Sequence, residues 1–240
     1  MLLTPPVNFA IFKERMPGRK IPLVNNEVYH ILNRGISLQP TFINKRDYDR
    51  AFQTIFYYQN QSLPLKYSRF LYLSAERRVK ILENLKAQRK FLVEVIAFCL
   101  MPNHFHFLLK QTVKNGISMF MSNFTNSYTR YFNTKHERNG PLFQGKFKAK
   151  RIQSDEQLLH VSRYIHLNPY TSYVVKNLKE LTNYFHSSFP EYIRQPKGGF
   201  CGKEIILSQF KDNNLYKKFV LDQADYQRKL ETIKHLLLEK

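Results

Sequence analysis

The spacing of apolar and polar positions divides the chain into short elements. Residues 27–33 (EVYHILN) alternate with a period of two. Val28, His30 and Leu32 share one face and Tyr29 and Ile31 the other, which predicts a first strand ended by Arg34-Gly35. From Asn44 to Asn60 the period lengthens, with Tyr48, Ala51, Phe52, Ile55 and Phe56 at helical spacing behind an Asn cap. Gln61 to Ser68 breaks that pattern, and Ser74 to Lys90 predicts a second, strongly basic helix capped by Ser74. Phe91 to Leu100 is an almost unbroken apolar run of strand length, as in a central strand. Met101-Pro102-Asn103 turns the chain into an alternating strand, His104 to Lys110. Gly116 to His136 predicts a long helix closed by Asn139-Gly140-Pro141, and Phe147 to Ile152 a last strand with Lys148 and Lys150 on one side. Ser154 to Asn168 predicts a helix with a Ser154/Gln157 capping box, Asp155 and Glu156 at its positive end, and Pro169 barring continuation past Asn168. Asn183 to Gly202 is loop-like, and residues 203–240 read as a short helix and a longer one ending in Ile233, Leu236, Leu237 and Leu238.

With the second helix set aside as an insertion, the order becomes β-α-β-β-α-β followed by one more helix. This is the ferredoxin-like arrangement, an α+β sandwich on an antiparallel sheet, over roughly residues 25–180. The expected divisions are a basic, proline-rich arm at 1–25, a central domain at 26–190 and a helical extension at 191–240.

Composition narrows the partner. The 240 residues carry 38 Lys+Arg against 18 Asp+Glu, a formal charge of +20, and are 43% hydrophobic and 15% aromatic. That is apolar enough for a real core and excludes wholesale disorder. The excess charge points to a polyanion, either nucleic acid or an anionic membrane surface. The most apolar run, Phe91 to Met101, is too short to span a bilayer and contains Glu94, so no membrane insertion is expected. Prolines interrupt the N-terminus where a signal peptide needs an unbroken apolar stretch, and Cys99 and Cys201 supply no disulfide framework. The expected compartment is the reducing cytoplasm, on the nucleoid. Between Val95 and Ser154, nine Lys/Arg face a single acid, Glu137, in an apolar segment interleaved with aromatics such as Phe124, Tyr128, Tyr131, Phe132, Phe143 and Phe147. Such a segment suits phosphates, and the rings suit either base stacking or the core.

Candidate chemistry concentrates at His104-Phe105-His106. Residues i and i+2 of a strand share a face, so both imidazoles project together while Phe105 and Phe107 turn to the core. Two imidazoles on one strand chelate a divalent metal with positions left for oxygen ligands, although most His-x-His pairs do nothing of the kind. In the helix 154–168, Gln157, His160, Tyr164 and Asn168 make one polar stripe opposite Leu158, Val161 and Ile165. A phenol and an amide carbonyl one turn apart suit a nucleophile and a third ligand at the same phosphate. Fifteen tyrosines are available, and the pattern does not choose Tyr164 over Tyr128 or Tyr131.

Five segments together resemble the HUH-type single-tyrosine transposases, the insertion-sequence-200-like family that includes the REP-associated tyrosine transposases. They are Tyr29-His30-Ile31-x-x-Arg34-Gly35, Ala97 to His106 (AFCLMPNHFH), Ser127 to Asn133 (SYTRYFN), Gly140 to Lys148 (GPLFQGKFK) and Ser162 to Pro169 (SRYIHLNP). They occur in order between about residues 27 and 190. One departure is His186, where the family commonly has a Trp before the two serines Ser187 and Ser188. The resemblance implies that His104 and His106 are the metal pair, Tyr164 the nucleophile and Asn168 the amide ligand. The implied reaction is metal-dependent cleavage of single-stranded or hairpin DNA in transposition. Tyr164 keeps the 5′-phosphate and releases a 3′-hydroxyl, so that rejoining needs no ATP. Amide and phosphate oxygens beside two imidazoles favour Mg²⁺ or Mn²⁺ over Zn²⁺. His30 on the neighbouring strand and His160 on the stripe are candidates for an acid/base or supporting role. Arg34, Arg130, Lys146, Lys148, Lys150 and Arg151 are candidates for holding the DNA backbone. Family members occur as monomers and as swapped dimers, so a homodimer is one possible state. The competing readings are a non-catalytic single-stranded DNA or RNA binder on the same sheet and a zinc hydrolase, which lacks a carboxylate near the histidines to act as base.

Overall fold

The computed structural model describes residues 22–194 and 199–229. The expected basic arm lies outside the described residues except for Pro22 to Asn25, as does the end of the last expected helix with Ile233, Leu236, Leu237 and Leu238. The chain runs from strand β1 (Val28–Arg34) through helices α1 (Lys45–Tyr58), α2 (Tyr67–Phe70) and α3 (Ala75–Gln88) to the hairpin of β2 (Val93–Met101) and β3 (His104–Gln111). Helix α4 (Gly116–Lys135), strand β4 (Lys148–Arg151) and helix α5 (Asp155–Thr171) follow. Short helices α6 (Leu178–Leu181), α7 (Phe189–Arg194), α8 (Glu204–Leu207) and α9 (Asn213–Leu221) come next, and residues 224–229 are helical at the end of the described chain.

The four strands form one sheet in the order β2-β3-β1-β4, with every neighbouring pair antiparallel. With α2 and α3 as an insertion, this is the ferredoxin-like α+β sandwich. Helices α1 and α4 pack together under one face of the sheet, where Phe105 and Phe107 meet Phe120 and Phe124. Helix α5 lies over the other face, against β2 and β3. The aromatics interleaved with the basic segment belong mostly to this core: Phe124, Tyr128, Phe132 and Phe143 are buried.

The start signals act as expected, with Asn44, Ser74 and Ser154 capping α1, α3 and α5 through their side chains. In α5 the capping box is half realised. Ser154 Oγ accepts from Gln157 N at 3.1 Å, but Gln157 Oε1 accepts from Gln153 N at 2.7 Å, one residue further out than the box requires.

The stop at Pro169 is not obeyed. The helix runs on to Thr171 with Pro169 inside it. Proline removes only its own N–H bond, and the turn is re-tied by Ser172 N on Asn168 O at 3.0 Å and by Val174 N and Val175 N on Pro169 O. Nor is 183–202 a free loop. His186 O accepts from Leu100 N and Phe98 O from Ser188 N, so the segment pairs with the outer edge of β2 and covers it. At the start of the fold, Gly35 N donates to Asn103 O at 2.7 Å, which ties β1 to the β2–β3 turn. A Cβ at Gly35 would run into the Gln39 carbonyl oxygen and the Thr41 methyl, so the approach requires glycine.

Candidate functional site

The site is set by strand parity. Opposed residues of an antiparallel pair point to the same face. Arg34 faces His104, Leu32 faces His106, and His30 faces Leu108 across β1 and β3. On the outer side, Leu32 faces Lys148 and His30 faces Lys150. One face of the sheet therefore carries His104, His106, His30, Arg34, Lys148 and Lys150, while Phe105 and Phe107 carry the core on the other.

Hydrogen bonds orient the two β3 imidazoles. His104 Nδ1 lies 2.7 Å from Asn103 Oδ1, an acceptor only, so Nδ1 carries the proton and Nε2 keeps its lone pair. His106 Nδ1 lies 2.9 Å from His30 Nε2. Burial pushes the His104 pKa down to about 4; the neighbouring Asn168 amide opposes the shift and the Arg34 charge adds to it. Burial, then the charges of His104, His30 and Arg34, holds His106 well below its ordinary value, and burial with Lys150 brings His30 to about 4. All three rings are neutral near pH 7 and able to donate a lone pair.

Helix α5 brings Tyr164 and Asn168 over this face. The Tyr164 ring stands edge-on to His106 at 5.4 Å and to His30 at 6.0 Å between centroids, and the residue is 39% exposed. Asn168, one turn later, is 3% exposed, and its Oδ1 is buried without a hydrogen bond. The amide is close enough to His104 to favour the imidazolium, yet not in hydrogen-bond geometry. A buried acceptor left unsatisfied costs about 1–3 kcal/mol and asks for a partner. Two neutral imidazoles and this amide oxygen fit a divalent cation. Among the described residues no group of three or more His, Cys, Asp or Glu is placed to hold a metal, so the amide is needed to complete a set.

The other tyrosines left open by the pattern lie elsewhere. Tyr128 is buried on α4 with its hydroxyl donating to Thr41 O at 2.6 Å, and burial pushes its phenol far up. Tyr131 donates to Asp47 Oδ1 at 3.0 Å. Both belong to the α1–α4 layer beneath the sheet.

The basic candidates divide in the same way. Arg34, Lys148 and Lys150 line the histidine face, and Lys146 is exposed just before β4. Arg130 is exposed on α4, in the opposite layer. Arg151 turns away and is engaged by Glu27 at 3.0 and 2.5 Å. His160, one turn before Tyr164, is exposed, with Nε2 3.8 Å from Glu156 and its ring near Phe219.

Two histidines without a sequence role prove structural. His166 is fully buried, with Nε2 2.8 Å from Ser188 Oγ and Nδ1 2.7 Å from Tyr216 Oη. Ser188 in turn holds the Phe98 backbone, accepting from its N at 2.9 Å and donating to its O at 3.2 Å. This network clamps α5 between β2 and α9. Beyond Tyr164, residues 165–171 of α5 are buried all round, where the sequence stripe had one core face. His186, the departure before the two serines, stacks on Tyr48 at 3.7 Å.

The residue that the motifs contained without a role is Asn103. The signal was its position directly before His104 in the turn, where its amide oxygen reaches the ring of the next residue.

Residues 65–168, which include His104, His106, Tyr164 and Asn168, match the family model described as transposase IS200 like. No curated protein matches the chain. Among solved structures, a REP-associated tyrosine transposase bound to a REP hairpin aligns at 12% identity over 74% of this chain and 86% of that one, with a TM-score of 0.46.

Proposed function

For a chain that belongs, through residues 65–168, to the IS200-like transposases, we propose tyrosine-dependent cleavage and rejoining of single-stranded or hairpin DNA. The supporting observation is the meeting of Tyr164, His104, His106 and the unsatisfied Asn168 oxygen between α5 and one face of the sheet. Tyr164 Oη attacks phosphorus, the new O–P bond replaces the P–O3′ bond, the phenol proton is released and the departing 3′-oxygen leaves as a hydroxyl. The 5′-phosphate stays on Tyr164 until another 3′-hydroxyl reverses the step. His104, His106 and Asn168 would hold Mg²⁺ or Mn²⁺, whose charge there neutralises a non-bridging phosphate oxygen. Asn103 keeps the proton of His104 on Nδ1, which leaves the Nε2 lone pair available to the ion. Arg34, Lys148 and Lys150 sit on the same face to carry the flanking phosphates.

Labelled hairpin DNA incubated with the protein and Mn²⁺, then run on a denaturing gel, tests the reading. A covalent protein–DNA band is expected. Hairpin binding without any such band would overturn the catalytic reading in favour of a binding protein.

The charge assignment makes its own prediction. Each phosphate contact to a single strand contributes about 0.7 to the slope of log K against log salt. Lys148→Ala with Lys150→Ala should therefore flatten that slope by about 1.4, while Arg130→Ala should leave it unchanged. Fluorescence anisotropy with labelled single strands between 50 and 300 mM salt (about the useful range for such slopes) reads both. Equal slopes for the double variant and wild type would remove these lysines from the DNA track.

A further inference from the structure

We propose that His30 is a positioning residue that fixes His106 as a metal ligand; this rests on the reading of His104, His106 and Asn168 as the donor set. His30 Nε2 lies 2.9 Å from His106 Nδ1, and the two rings stack with centroids 5.1 Å apart and planes 23° from parallel. His30 stands on β1, one register step from the Leu32–His106 pair, and β1 is an interior strand of the sheet. The acceptor is therefore held by the backbone.

For His106 to present Nε2, its Nδ1 must carry the proton, and that proton needs an acceptor where His106 is 4% exposed. His30 Nε2 is that acceptor, with its own proton on Nδ1. The two ligands thus have separate orienting partners: Asn103 from the adjacent residue for His104, and His30 from the neighbouring strand for His106. Without His30, the His106 ring can rotate and its proton can move to the nitrogen meant for the ion. Loss of such a partner weakens metal binding by about 10–100-fold.

The experiment is calorimetric titration of the DNA-free protein with Mn²⁺ alone, paired with thermal melting in the absence of metal. His30→Phe keeps a flat ring but no acceptor, and His30→Gln restores an acceptor oxygen. Mn²⁺ affinity should fall about 10–100-fold in His30→Phe and recover to within a few-fold of wild type in His30→Gln, with both melting near wild type. Wild-type affinity in His30→Phe would overturn the proposal. So would equal loss in both variants, which would mark a packing role. His106→Ala separates the two levels of the argument. If it binds Mn²⁺ as wild type does, or if wild type binds none, the donor set is wrong and the His30 role falls with it. If it loses binding while His30→Phe does not, only the His30 role is wrong.

Discussion

Tyr164→Phe is expected to eliminate the covalent protein–DNA band and to lower single-turnover cleavage by at least about 10⁴-fold. The change removes one oxygen from a side chain that is 39% exposed and leaves the ring standing against His106 and His30. Folding stability should therefore stay within about 1 kcal/mol of wild type, the size of one hydrogen bond, since the ring contacts are kept. Mn²⁺ and hairpin affinity should likewise be retained, since the phenol is in neither the donor set nor the basic face. A gel, a melt and an anisotropy titration on one preparation give all three readings. An adduct in the variant equal to wild type would show that another nucleophile does the chemistry. Tyr128 and Tyr131 are poor replacements, because both hydroxyls are engaged on the far side of the sheet.

His166→Ala should be the most damaging substitution to the fold outside the aromatic core, at about 3–5 kcal/mol by urea denaturation. It removes a fully buried ring and leaves Tyr216 Oη and Ser188 Oγ without their shared partner. Tyr216 retains Ser162 Oγ at 3.1 Å and Ser188 retains the Phe98 backbone, which keeps the cost below that of an isolated buried charge. A cycle with Tyr216→Phe isolates the link. The paired variant should lose less than the sum of the two single losses, by about 1 kcal/mol or more, because both remove the same hydrogen bond. Strict additivity would mean that the ring acts by volume alone. Since α5 carries Tyr164 and Asn168, the variant should also lose metal affinity before it unfolds.

The period of the apolar residues was enough to find the four strands, the two helices beneath the sheet and the helix above it, because each buries one defined face. It was also enough to put His104 and His106 side by side, since strand parity is local. What it missed depends on contacts remote in sequence. Pro169 reads as a stop by local rules, but a buried turn tolerates one lost hydrogen bond when Ser172, Val174 and Val175 re-tie the chain. The segment 184–188 looks like a loop because its partner is the edge of β2, some 90 residues earlier by the Phe98–Ser188 bond. The nine basic residues look like one track in sequence. In space they divide between two layers, Arg130 on the helix beneath the sheet and Lys148 on the opposite face, and two of them are engaged in ion pairs, Lys135 with Asp47 and Arg151 with Glu27. Asn103 escaped, and His30 was legible only as a candidate acid/base or supporting residue, for a related reason: orienting a neighbour's ring is a property of hydrogen-bond geometry, which no spacing encodes.

Tyr164 stands over the histidines of its own chain, 5.4 Å from His106. The two halves of the proposed site are thus inherited and lost together. In this arrangement a copy lacking the phenol and a copy lacking the imidazole are not expected to complement each other, and activity restored by mixing the two would mean that Tyr164 is supplied by a second copy. Activity in a mixed population should follow the fraction of intact chains linearly, rather than the statistics of pairing.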